Sequence, residues 1–232
     1  EANPWAGDDG AANPDLLEVL SQFRMGLATQ ERVHSVLRES RLLVPLIANL
    51  GEAGEGAHGQ TVDKSADLSI VSVSSPDGQT ALPVFSSVAA MSRWNPKARP
   101  VPIETARVAL AAASEQNGRI ILDPRSETEF VIRRSAFQSL ADGSPWAHPA
   151  TDAAVKAAFG AVIDVESAVE NFAVQNGDPQ SRLQGPEVLV YLKLEPGLAP
   201  DKLTPLLERI TQGWYASPNI ASRVDSLGIK LV

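Results

Sequence analysis

Leu42–Ser74 reads LLVPLIANLGEAGEGAHGQTVDKSADLSIVSVS. Two apolar runs, Leu42–Leu50 and Leu68–Ser74, enclose a stretch rich in glycine and glutamate. Within it, Gly54–Gly59 matches the pattern G-x-G-x-x-G. In a dinucleotide-binding fold those glycines bring a helix N-terminus up to a pyrophosphate, so a helix must follow the last glycine. Here Gln60–Ser65 follow, and then a strand. No βαβ unit surrounds the motif, and Glu52 and Glu55 place negative charge where a negative ligand would sit. We therefore read strand, surface loop, strand, and no dinucleotide site. The fold class expected is α/β (α+β): two small mixed-sheet domains flanked by helices, preceded by an N-terminal helical arm.

Upstream, residues 1–12 are small, polar and acidic, which predicts a disordered lead-in. Asn13-Pro14-Asp15 is a helix start, and Thr29 caps a second short helix; together with the lead-in they make up residues 1–40. Because the chain opens at Glu1 and not at methionine, we expect a processed or trimmed sequence.

Downstream, Ser75–Gln79 (SPDGQ) joins Leu68–Ser74 to Thr80–Phe85 as a hairpin. Ser86 or Ser87 caps a helix that ends near Trp94, since the residue before Pro96 avoids the helical region. An alanine-rich helix from Ile103 or Glu104 stops at Asn117-Gly118. Strands at Arg119–Leu122 and Phe130–Ile132 and a helix at Ser135–Ala141 follow. DGSPWAHP, Asp142–Pro149, reads as a boundary, giving domains at 41–147 and 148–232. The second carries a helix from Thr151 or Asp152, a strand at Val165–Val174, an alternating strand at Glu187–Leu194, a helix from Pro200 to Trp214 and a last strand at Leu227–Val232.

The 232 residues include 44% hydrophobic and 21% charged side chains, enough for a sizeable core. A net charge of −8 argues against nucleic acid and anionic membranes as partners. There is no cysteine, so disulfides, thiolate nucleophiles and cysteine-held metals are excluded. That usage fits a cytoplasmic location. No run approaches the ~18 apolar residues of a membrane span.

Candidate sites are few. Glu52, Glu55, His58 and Asp63 could gather a metal, but a glycine-rich loop holds ligands without fixed geometry. His34, His58 and His148 are too dispersed for a histidine site, so no metal and no cofactor is expected. Asp164, Glu166 and Glu170 read as a solvated strand face, with Glu166 and Glu170 four residues apart. Arg93-Trp94-Asn95-Pro96-Lys97-Ala98-Arg99 sets three cations around an aromatic in an acidic chain. Tryptophan and arginine dominate binding hot spots, which makes Arg93, Trp94, Lys97 and Arg99 the candidate binding residues.

ALPVFSSVAAMSRWNPKARPVPIE, Ala81–Glu104, resembles the N-terminal domain of the bacterial SseB family. Supporting blocks are LLVPL (Leu42–Leu46), RIILDP (Arg119–Pro124) and FVIRRSAFQSLADG (Phe130–Gly143). The blocks carry Leu82-Pro83-Val84-Phe85, then Ser86, Trp94 and Asp123-Pro124, in the family's order over about residues 41–143. The second half is similar to the C-terminal domain that accompanies it. The resemblance implies a fold and no reaction, cofactor or catalytic residue. The expectation is a non-enzymatic protein-interaction or regulatory module with a protein partner. The alternative is a sensor for an amino acid or another anion, working through Arg93, Lys97 or Arg99.

Overall fold

The computed structural model describes residues 7–49, 67–70, 72–114 and 118–232. The Gly54–Gly59 motif and the candidate ligands Glu52, Glu55, His58 and Asp63 lie outside the described residues. Among the described residues the architecture is α+β, with helices against three small sheets and no closed barrel.

In the first half, β1 (Arg41–Asn49) lies between β2 (Asp67–Ile70) and β5 (Arg99–Glu104), antiparallel to both. A second sheet has the order β3-β4-β6-β7, from β3 (Val73–Ser74), β4 (Thr80–Val84), β6 (Arg119–Leu122) and β7 (Phe130–Arg133). The run expected as one strand at Leu68–Ser74 thus divides: its start pairs with β1 and its end with β4. The hairpin expected at Ser75–Gln79 is present, with Gly78 at φ +79° and Ser75 N–H bonded to the Gln79 carbonyl. β4 and β6 run parallel, and the crossover between them contains α3 (Val88–Trp94), β5 and α4 (Thr105–Ser114). A bridge between Leu43 and Phe85 ties the two sheets together.

The helices α1 (Pro14–Arg24) and α2 (Gln30–Arg38) begin at the expected caps, Asn13 and Thr29. They are not a separate arm. Leu16, Leu20, Val33 and Leu37 are buried in one cluster with Val84, Ile120 and Ile132 of the sheet and with Phe137 of α5 (Phe137–Asp142). The lead-in is also fixed from residue 8 onward. Asp8 pairs with Arg41 at 2.5 Å, and the Gly10 carbonyl accepts the Val88 N–H at 2.9 Å. Composition misses this because a half-buried ion pair and backbone hydrogen bonds, not apolar surface, hold the segment.

The second half packs α6 (Ala153–Ile163), α7 (Pro200–Ala216) and α8 (Pro218–Arg223) on one face of a sheet ordered β10-β9-β8. These strands are β8 (Val169–Asn176), β9 (Val188–Leu194) and β10 (Leu227–Leu231). Val188, Val190 and Leu192 alternate inward as expected, against Phe159 and Trp214. Trp214 is fully buried and donates Nε1–H to the Phe159 carbonyl at 3.2 Å. β8 starts later than the expected Val165, because Ile163–Glu166 and Glu166–Val169 close turns first. Glu166 therefore precedes the strand and does not share a face with Glu170. It pairs with Arg209 at 2.8 Å, whereas Glu170 pairs with Lys193 at 2.6 Å. No helix among the described residues is long and apolar enough to cross a membrane.

Between the two halves lies a polar seam. Arg119 meets Asp77 and Asp225, and Arg133 meets Asp178 and Asp225. Arg119, Arg133, Asp178 and Asp225 are all buried.

Candidate functional site

The end of α3 carries the four residues the sequence singles out. Arg93, Lys97 and Arg99 are exposed. Among the described residues none of their side chains forms a hydrogen bond or ion pair. Trp94 behaves differently: it is half-buried and packs on Phe85 with ring centroids 5.2 Å apart. It also lines a cleft of about 310 Å³ with Ile121, Pro124, Arg125, Arg182 and Leu183. The structure thus separates the aromatic from its cationic neighbours and gives it two different arginines.

The cleft lies over one face of the second sheet, from Val73 and Ser74 of β3 to Ile121 of β6 and Val131 of β7, with Pro124 and Arg125 just past the end of β6. Asp123, buried beneath its edge, fixes the turn that presents Pro124 and Arg125. Its carboxylate accepts the Ser86 N–H at 2.8 Å, the Ser86 hydroxyl at 2.7 Å and the Thr128 hydroxyl at 2.8 Å. With three donors in place and no solvent contact, Asp123 is a scaffold that joins the two strand ends. Its left-handed backbone (φ +46°) turns the chain sharply into Pro124. Arg125, at φ +64°, follows and projects into solvent, while its N–H is held by Glu129 Oε2 at 2.6 Å.

The opposite wall is the β8–β9 loop of the second half. Asp178 accepts the N–H groups of Arg182, Leu183 and Gln184 at 2.9–3.2 Å, and Arg133 pins the same carboxylate at 2.7 Å. Gln30 of α2 reaches the Asp178 carbonyl and the Ser181 hydroxyl, and the Val131 N–H bonds the Ser181 carbonyl. Ser181 and Leu183 are held at φ +48° and +57°. Among the described residues, the non-glycine positions with left-handed backbone are Asp123, Arg125, Ser181 and Leu183; Arg125 and Leu183 line the cleft, and Asp123 and Ser181 are buried two residues before them. Such backbone costs roughly 1–3 kcal/mol per residue and gathers at functional sites.

The cleft is mildly cationic. Among the described residues the Arg125 guanidinium makes no hydrogen bond or ion pair, and Arg182 donates to the Ser126 carbonyl at 3.1 Å while its Nε has no hydrogen-bond partner. Glu129 lies 3.9 Å from that Nε. Burial, and then repulsion by Arg182, hold the nearby Arg24 guanidinium below its ordinary pKa. Sequence reasoning passes over Arg125 and Arg182 because each looks like an ordinary surface arginine. The available signal was Ser86 and Asp123-Pro124, one at the end of each parallel strand.

A second cluster corrects the reading of the histidines as dispersed. Folding stacks His34 on Trp146, with centroids 4.1 Å apart, and places His148 edge-on to the same indole at 5.7 Å. Glu31 accepts the His148 N–H and the Thr151 hydroxyl, both at 3.2 Å. Burial drives the His34 pKa down to about 3 and that of His148 to about 4, so both rings are neutral at pH 7. Beyond them Glu187 is buried, accepting the Ser135 hydroxyl and the Asp225 N–H; burial raises its pKa to about 7. Among the described residues no group of three or more His, Asp or Glu side chains is gathered to hold a metal ion.

The model of the SseB protein N-terminal domain matches residues 16–139, more than half of the chain. The match takes in α1 and α2, both strand ends, Ser86, Trp94, Asp123 and Arg125; Ser181, Arg182 and Leu183 lie beyond it. No curated protein and no solved structure matches the chain. The family match, set on a fold in which buried Ser86 and Asp123 join the ends of β4 and β6, establishes that this chain belongs to the SseB family.

Proposed function

We propose that this SseB-family chain is a non-enzymatic interaction module of the bacterial cytoplasm that docks an acidic segment of a protein partner in the Trp94–Arg125–Arg182 cleft. One observation carries the reading: left-handed Arg125 and Leu183 line a single cleft from the two halves, each two residues after a buried left-handed residue, Asp123 and Ser181, that fixes its loop. A carboxylate of the partner meets Arg125, an apolar side chain rests on Trp94 and Leu183, and Arg93, Lys97 and Arg99 add positive charge outside the cleft. Residues 148–232 are read as the accompanying C-terminal domain of the family. Their own apolar core, and the loop they lend to the cleft, support that reading.

The test is affinity purification from the native cell, followed by binding of the captured partner to purified wild type and Arg125→Glu. The exposed Arg125 side chain has no fold-bearing contact among the described residues, so the variant should keep its melting temperature and lose the partner. Binding should also weaken with salt. A partner bound equally by both proteins counts against the cleft. The cleft volume of about 310 Å³, at the small end for ligand pockets, favours the alternative of an anion sensor. A metabolite that co-purifies and shifts the melting temperature in place of a protein would select it.

A further inference from the structure

We infer that a second copy of this chain docks on the groove between α4 and α5, forming a two-fold symmetric dimer. The groove has a volume of about 800 Å³, with Ala109 and Ala113 of α4 on one side and Phe137 and Ala141 of α5 on the other. Leu110 also lines it and is 58% exposed. The sequence of α4, TARVALAAAS, holds one charged residue, Arg107. A helix with one face in water normally carries charged and polar side chains there, whereas a helix that is apolar all round is a buried one. In α4, Val108, Ala109 and Ala112 face the core, and Leu110 and Ala113 face out.

The two ends of the groove carry opposite charges. Arg134 marks one end, beside Gly118, where β6 and β7 pair through Arg119 and Arg133. Asp142, the last residue of α5, marks the other. The eight positions from Arg134 to Asp142 span roughly 12 Å of helix. Both residues are exposed. Arg134 reaches the Val224 carbonyl at 3.5 Å and Asp142 accepts the Ser144 N–H at 2.8 Å, and among the described residues neither forms an ion pair. A two-fold axis through the middle of the groove lays two copies antiparallel. Arg134 of each copy then meets the partner's Asp142, once at either end. Leu110, midway along α4, lies near that axis and enters the partner's groove. An isologous dimer requires a patch that matches itself in this way, and two-fold dimers are the commonest oligomers. An unrelated helix would need both charges at the same spacing; a second copy carries them by construction.

This pairing leaves the Trp94 cleft open. Successive residues of a strand point to opposite faces of its sheet. Helices α4 and α5 cover the face of the second sheet that bears Ile120 and Ile132, and the cleft lies over the face that bears Ile121 and Val131. The dimer neither uses the cleft nor depends on it.

Sedimentation equilibrium of the full chain tests the inference, with circular dichroism as the check on folding. Wild type should be a dimer at about 0.1 mM. Leu110→Glu puts charge near the axis and should weaken association at least about thirtyfold, with an unchanged spectrum. Arg134→Asp sets like charges against each other at both ends, and so does Asp142→Arg, so each alone should weaken the dimer about tenfold or more. In an equimolar mixture of these two variants the mixed dimer regains both ion pairs, and association should recover. A wild type that stays monomeric at that concentration overturns the inference and leaves the groove to another occupant. A dimer that Leu110→Glu leaves intact also overturns it, as does a mixture of the two charge variants no stronger than either alone.

Discussion

Leu20, Leu37, Val84, Ile120 and Ile132 fill the first core, and Phe159, Val190, Ile210 and Trp214 the second, with no charged side chain among them. At the seam the buried side chains are Arg119, Arg133, Asp178, Asp225 and Glu187. Apolar contact is non-directional, so each core tolerates small changes of shape at modest cost. The seam works through direction. Asp178 alone joins Arg133 of the first half to three backbone N–H groups of the β8–β9 loop. Such networks are weak sources of net stability, yet they fix one arrangement, because any misfit leaves a buried charge unpaired. The cores make each half fold; the seam decides how the halves meet and so builds the cleft they share.

Conservative substitutions should expose this difference most strongly. Ile210→Val in the second core should cost about 1 kcal/mol. Asp178→Asn is as conservative in volume, yet it takes from Arg133 its closer carboxylate, at 2.7 Å, and leaves only Asp225 at 3.3 Å, so it should cost about 3 kcal/mol. Urea unfolding of both variants checks the pair. If the seam variant is no worse than the core variant, the seam is wet and loosely held, and the contrast fails.

Titration sharpens the same contrast, because the apolar cores carry nothing that ionises. Glu187 holds its proton to about pH 7 when folded, against about 4.5 when unfolded. Between these values the folded state binds the extra proton, so stability falls as pH rises through that window, by up to about 3 kcal/mol. His34 and His148 act with the opposite sign. Their folded values of about 3 and 4 lie below the ordinary 6.5, so they contribute stability above that value and lose it as pH falls toward 4. Glu187→Gln can accept from the Asp225 N–H and donate to the Ser135 hydroxyl. It should remove the alkaline loss and leave the acid loss intact. Thermal melts of wild type and variant from pH 4 to 8 decide it; parallel curves would mean that Glu187 is ionised in the folded protein.

The contrast also explains what the sequence made legible. Val188, Val190 and Leu192 alternate, and the caps Asn13, Thr29 and Asp152 announce their helices, so elements and cores follow from period and capping. The hairpin at Gly78 was equally plain. Nothing comparable marks Arg119, Arg133 or Asp225, since a charge destined for burial looks like one destined for solvent until its partner, 92 or 106 positions away, is known. The cleft was half legible for the same reason. Trp94 stood out by composition, but Arg182 joins it only because the seam brings the second half across.

A smaller effect is expected where core and cleft meet. Trp94 is half-buried against Phe85 and Met91, so Trp94→Ala should cost about 1–2 kcal/mol, below the 3–5 kcal/mol of a fully buried aromatic such as Trp214. Its larger consequence should fall on partner binding. Measuring stability and binding together separates the roles, and a loss of stability equal to that of Trp214→Ala would make Trp94 a core residue and remove it from the cleft.

The smallest effect belongs to the three cations beside it. Arg93, Lys97 and Arg99 are exposed and make no ion pair among the described residues, so changing all three to Ser should alter stability by no more than about 0.5 kcal/mol. Whatever they contribute must then appear in association. Cations outside a docking cleft speed encounter with an acidic partner and make it salt-dependent, with little effect on how long the complex lasts. The triple variant should therefore slow association several-fold and flatten its salt dependence, while Arg125→Glu, inside the cleft, should speed dissociation. Stopped-flow kinetics with the captured partner reads both rates. If the triple variant instead accelerates dissociation as much as Arg125→Glu does, the contact extends over the end of α3, and Arg93, Lys97 and Arg99 belong to the docking surface itself.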